Sequence, residues 1–87
     1  MYLHLGADIS VNKKYIVGIF DLENTSTSKK TREYLKRITS EGKVTDVSSA
    51  DLPRSFVVTV ENGKERVYIS PISSQTLLKR YEMKTNF

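Results

Sequence analysis

Between residues 55 and 70 the chain places two β-branched runs, Ser55-Phe56-Val57-Val58-Thr59-Val60 and Glu65-Arg66-Val67-Tyr68-Ile69-Ser70, around Asn62-Gly63. No other stretch restricts the fold as much. An Asn-Gly pair between two extended runs predicts a tight hairpin, because both central residues of a type I′ turn need positive φ. The chain is thereby committed to antiparallel pairing at its centre. Pro71 ends the second run, having no amide proton to extend a ladder. A short basic helix follows over Ser73–Tyr81, capped by Ser73 or Ser74. Leu77, Leu78 and Tyr81 give it an apolar face, and Lys79, Arg80 and Lys84 stay off that face.

The upstream half carries weaker signals. Met1 to Leu5 alternate in character and end at the turn residues Gly6-Ala7-Asp8, with a second extended piece expected over Ile9–Asn12. Tyr15–Phe20 is almost continuously apolar, which predicts a central strand buried on both faces. Gly18 inside it predicts close approach of a neighbouring backbone or helix. Asp21–Thr27 reads as a loop, and Thr27 or Ser28 caps a helix with Thr31, Tyr34, Leu35 and Ile38 along one side. Gly42 is placed as its C′ residue. Lys43–Val47 reads as a short edge strand, Ser48–Pro53 as a loop, and residues beyond Met83 as a fraying terminus. The order ββ-α-(β)-ββ-α predicts a single α+β domain over residues 1–87, a small, mostly antiparallel sheet with two helices packed on it.

Eighty-seven residues bury only about 60–65% of the unfolded chain's surface, so a lone core is marginal and self-association is a natural remedy. The absence of cysteine excludes disulfides, thiolate catalysis and thiolate zinc sites. No run approaches the ~20 apolar residues of a membrane span. No basic region leads into a long apolar run at the N-terminus, so a cytoplasmic protein without a membrane partner is expected.

Catalytic constellations are missing from the pattern. The single histidine, His4, sits in a strand, where packing or surface roles are commoner than base catalysis. Asp8, Asp21, Asp46 and Asp51 lie in or beside turns, where short acidic side chains bond local backbone. No histidine or lysine is spaced to activate Ser73 or Ser74. The four glycines are scattered singly, which leaves no phosphate-binding loop. The chain is therefore expected to be no enzyme and to need neither cofactor nor metal.

Charge is more suggestive. Fourteen Lys and Arg against ten Asp and Glu leave +4, compatible with a nucleic-acid partner and also with plain solubility. Lys13 and Lys14 lie between two extended segments, and Arg54 follows Pro53 at the start of a strand. Lys29, Arg32 and Lys36 share one helix face, flanked by Lys30 and Arg37 and partly offset by Glu33. The candidate DNA-contacting set is Lys13, Lys14 and Arg54, supported by Lys29 and Lys36; the competing reading is a solvated charged surface. Strands separate the two helices, so no helix-turn-helix is present, and DNA contact would go mainly to phosphates and shape. Tyr2 and Tyr68 raise a further alternative, base stacking on an open sheet face.

Four stretches carry a likeness that periodicity does not show: "YLHLG" at 2–6, "IVGIF" at 16–20, "PRSFVVTV" at 53–60 and "VYISPISSQTLLKR" at 67–80. Over residues 2–81 the chain resembles the bacterial extracellular-matrix regulators of the RemA/RemB type, closer to the RemB-like branch. The resemblance implies a small α+β subunit, ring-like homo-oligomers, and DNA binding that activates biofilm-matrix operons in Gram-positive bacteria. It also implies DNA-contacting arginines on two loops. The first position falls at or next to Lys14-Tyr15, where a lysine substitutes. The second falls around Asp51-Leu52, an acid and an apolar residue, and only Arg54 matches a family arginine directly. An acid in that loop repels phosphate, so an assembly or adaptor protein without its own DNA binding is the alternative.

Overall fold

A computed structural model describes residues 1–25, 28–48 and 51–83. The hairpin forms as anticipated. Strands β5 (Ser55–Glu61) and β6 (Lys64–Ser70) pair in unbroken antiparallel register from Ser55↔Ser70 to Glu61↔Lys64. Asn62 and Gly63 close the turn at φ 54° and 75°, the left-handed region that type I′ geometry demands. Strand β3 (Ile16–Asp21) adds antiparallel to β5, and β4 (Val44–Asp46) adds parallel to β6. The four-stranded order is β3-β5-β6-β4.

The architecture is α+β and mostly antiparallel, with the strands divided between two sheets rather than gathered in one. Strands β1 (Tyr2–Gly6) and β2 (Ile9–Asn12) form a separate antiparallel pair. Alternation explains the division. Leu3, Leu5 and Val11 are buried while Tyr2 and His4 are exposed, so the pair has one apolar face. It buries that face by lying over the larger sheet instead of extending its edge.

Three layers result. On one side of the sheet Val57 packs with Leu3, Leu5, Val11 and Leu77, the last from helix α3 (Ser74–Glu82). On the other, Phe56, Val58 and Val67 pack against Ile38 of helix α2 (Lys29–Ser40), with Tyr34 and Leu35 beside it. Strand β5 is thus sandwiched, and Ser55 through Thr59 are all buried. Its buried hydroxyl neighbours are satisfied: Ser70 Oγ donates to the Leu5 carbonyl and Ser55 Oγ to that of Ile72, each at 2.6 Å. These bonds tie β1 and the approach to α3 onto one end of the sheet.

Several expectations need correction. The apolar run at 15–20 forms an edge strand, not a central one. One side of β5 is taken by β6 through the short turn, leaving β3 the other side and an outer flank that pairs with no described strand. Val17 stays 65% and Phe20 40% exposed. Gly18 makes room for its own strand's Phe20, not for a neighbouring backbone or helix. A Cβ there would run into the Phe20 ring, which lies back to stack on Phe56 at 4.9 Å between centroids.

Part of the expected loop at 21–27 is helical. Asp21 Oδ1 accepts the Glu23 amide at 2.7 Å and starts a single turn, α1 (Leu22–Thr25). Ser28 precedes α2 at the N-cap without a side-chain cap bond, and Gly42 takes φ 72° beyond its end. Ser73 caps α3 by accepting the Thr76 amide at 3.2 Å. Of the apolar face expected on α3 only Leu77 is buried, while Leu78 and Tyr81 remain exposed. Thr27, Lys84 and the fraying expected after Met83 lie outside the described residues.

Candidate nucleic-acid interface

The chain leaves β2 through one 3₁₀ turn, Lys13–Tyr15, which starts where Asn12 Oδ1 accepts the Lys14 amide at 3.1 Å. That turn sends its two lysines to different tasks. Lys13 reaches α3, donating from Nζ to the carbonyls of Arg80 (3.1 Å) and Met83 (3.3 Å) and lying 5.9 Å from the Tyr81 ring centroid. A cation on the last carbonyls of a helix satisfies orphan acceptors and meets the negative end of the dipole. Lys13 is therefore a clasp between the N-terminal layer and α3. Lys14 is exposed, with Nζ 5.1 Å from the centroid of the Tyr15 ring.

Arg54 lies elsewhere. Its backbone is pinned where β5 begins, donating to Ser70 and accepting from Leu22. Its Nε meets Glu23 Oε1 at 3.3 Å, with both side chains about half exposed, a geometry that contributes little in water. Asp21 pairs with Ser55, so Arg54 sits beside the far end of β3 from Lys14. Six strand residues span about 20 Å at ~3.3 Å each. One subunit does not join these cations into a single patch.

The helical cations occupy the opposite layer. Lys36 is exposed, and Lys29 faces Glu33 at 4.0 Å across one turn. Nearer the end of α2, Arg37 meets Glu41 at 3.1 Å and Glu65 at 4.0 Å, and lies 5.4 Å from the Tyr34 ring. Tyr34 donates to Glu65 Oε2 at 2.6 Å. Burial, then that bond to a carboxylate, pushes the Tyr34 hydroxyl up to about 12. Hydrogen bonds from Lys43 and then Arg37 hold the Glu41 carboxyl below its ordinary range. This network fastens α2 to β6.

One surface feature was not drawn from the sequence, and a second was drawn only in part. The first is an apolar groove of about 340 Å³ along the β3 edge, where Val17, Phe20, Phe56 and Val58 meet Tyr34. The second is a polar cleft of about 440 Å³ lined by the anticipated Tyr2 and Tyr68 together with Tyr15 and Lys14. Tyrosines this far apart in sequence meet only through the layering of β1 over the sheet. The alternation of Lys64, Arg66 and Tyr68 along β6 was a readable signal for the basic surface beside them.

Acidic and imidazole groups serve local structure. His4 Nε2 lies 2.8 Å from the Ala7 carbonyl across the first turn, and Asp46 Oδ1 accepts the Ser48 amide at 2.9 Å. Among the described residues no group of three or more His, Cys, Asp or Glu is placed to hold a metal. No described helix is long and apolar enough to cross a membrane.

Comparison with known proteins converges on one family. The RemA-like model, described as extracellular matrix regulatory protein A-like, matches residues 2–81. Over 80 residues the chain is 45% identical to extracellular matrix regulatory protein B of Bacillus subtilis (strain 168), covering 92% of this chain and 89% of that protein.

Proposed function

The chain belongs to the RemA-like family of extracellular matrix regulators, and on that premise we propose that it is a DNA-binding transcriptional regulator of biofilm matrix genes. It acts as a ring-like homo-oligomer in the cytoplasm, contacts DNA mainly through phosphates, and catalyses nothing. One observation carries this reading: an open sheet edge with exposed Val17 and Phe20 on a subunit whose cations are too dispersed to bind DNA alone. A head-to-tail contact at such an edge repeats around an axis, and it closes into a ring when its rotation divides the full turn. Each copy then contributes Lys14, Arg54, Lys29 and Lys36, and avidity multiplies a weak individual contact.

Electrophoretic mobility shift with matrix-operon promoter DNA across a salt series tests the reading. Affinity should fall steeply with salt, and each phosphate contact removed should flatten the log–log slope by about 0.9. Lys14→Glu/Lys36→Glu protein should keep its assembly and lose the shift. Lys13 is a poor choice for reversal, because its ammonium group clasps α3. Affinity that stays flat from low to moderate salt would rule the reading out.

A specific observation favours the second reading, an assembly or adaptor protein without its own DNA binding. Lys13, Arg54 and Lys29 each hold a partner within the subunit, and Asp51 is exposed in the loop ahead of β5. An oligomer that fails to be retained on immobilised DNA selects it.

A further inference from the structure

The two faces of β5 and β6 are covered unequally. Val57↔Tyr68, Thr59↔Arg66 and Glu61↔Lys64 are register partners, so these six side chains share a face. At one end of that face Val57 lies beneath β1, β2 and α3. Toward the hairpin tip the cover stops, and Arg66 and Lys64 are exposed. At the margin is the cleft ringed by Tyr2, Tyr15 and Tyr68 with Lys14 on its rim. A second cleft, of about 510 Å³, continues over Arg66 and Lys64 and shares Thr59, Glu61 and Tyr68 with the first. The two make one track from Tyr2 to the turn.

Aromatic rings interleaved with cations along an open sheet are the combination that unpaired bases require. Every base has a π-face for a tyrosine, and the adjoining phosphates need neutralising charge. Of the charged residues lining the two clefts, Lys14, Lys43, Lys64 and Arg66 stand against Glu61 and Glu65, and Glu65 accepts from Tyr34 on the other face of the sheet. From Tyr68 to Lys64 the strand runs about 13 Å, room for about four stacked nucleotides at ~3.4 Å each. A duplex hides its base faces and gains nothing from these rings.

We propose that this half-open face, with Tyr2, Tyr15 and Tyr68 as stacking platforms and Lys14, Arg66 and Lys64 as phosphate contacts, binds single-stranded nucleic acid. The site shares Lys14 with the duplex contacts proposed above, while Tyr2, Tyr15, Tyr68, Lys64 and Arg66 belong to it alone, so variants at those positions test it without touching the duplex reading.

The chain has five tyrosines and no tryptophan, so its own fluorescence reports on stacking. Full-length protein is titrated with oligo(dT) and oligo(U), with a duplex of matched length as competitor. Both single strands should quench at low salt, and the tighter of the two identifies DNA or RNA as the natural source. Tyr2→Ala should weaken binding about five-fold or more, and Tyr2→Phe should restore it. Tyr2 is 68% exposed, so neither change disturbs the core. Arg66→Gln should weaken binding and its salt dependence together, while duplex shifts by all three variants match the parent protein. Unchanged affinity in Tyr2→Ala and Tyr15→Ala, or no quenching because copies of the chain cover the face, overturns the proposal.

Discussion

Strands β3 and β5 are written in nearly the same alphabet and meet opposite fates. Ile-Val-Gly-Ile-Phe at 16–20 and Phe-Val-Val-Thr-Val at 56–60 are both β-branched and aromatic. In β5, residues 55–59 are buried on both faces, whereas β3 has no fully buried residue. The difference lies in neighbours. Strand β5 has a partner on each side and a layer on each face; among the described residues β3 has one strand partner, leaving its outer flank unpaired. An apolar strand left at an edge is an invitation to pair with another chain unless charge or proline blunts it. What looks like misplaced core in a monomer is therefore suited to contact between subunits, the premise on which the proposed ring depends.

Core substitutions probe this contrast most severely. Phe56→Ala, at a nearly fully buried position, should cost about 3–5 kcal/mol in urea unfolding. Phe20→Ala loses the stacked contact with Phe56 but little burial, and should cost about 1–2 kcal/mol. Equal costs would mean that the two strands are not as different as their exposure implies.

A gentler change separates assembly from folding. Val17→Lys places a charge on the exposed edge, the device by which edge strands avoid unwanted pairing. Subunit stability should change by less than about 1 kcal/mol, while the mass in solution should fall toward that of a single chain. An unaltered oligomer would move the subunit contact away from β3, leaving the exposed residues of α3 as its next location.

A further effect, modest and confined to high pH, concerns the covered face that β5 shares with α2. Tyr34, pushed up to about 12 in the folded protein, has an ordinary value of about 10 when unfolded. The folded state holds this proton more tightly, so the stabilisation is complete below about pH 10 and is lost as pH rises toward 12. Tyrosinate absorbance should show Tyr34 as a late-titrating component. Tyr34→Phe should abolish the lag and cost about 0.5–1.5 kcal/mol. A lag that survives the substitution would assign it to another tyrosine.

Much of the fold was legible because it rests on local rules. The Asn62-Gly63 turn, the Ser73 cap, Gly42 beyond α2 and the stripe of Tyr34, Leu35 and Ile38 all follow from φ requirements, hydrogen-bond inventory or helical spacing. The candidate site was less legible. Lys13 and Lys14 are adjacent and look equivalent, yet one clasps a helix nearly seventy residues away and the other faces water. Nothing near Lys13 in sequence announces Arg80 as its partner. Arg54 and Lys14 looked like two members of one patch until antiparallel pairing set them at opposite ends of β3.

By itself, then, the order of residues determined which of the longer segments extend, which coil, and where most of them stop. Hydrogen bonding and sterics act over a few residues, so those outcomes are local. Strand order decided the rest: that 16–20 ends at an edge, that β1 and β2 lie across the sheet, and that Lys14 and Tyr15 join Tyr2 and Tyr68 at one cleft. Burial depends on which surfaces compete for the same neighbours, and that competition is settled only when all the layers close together.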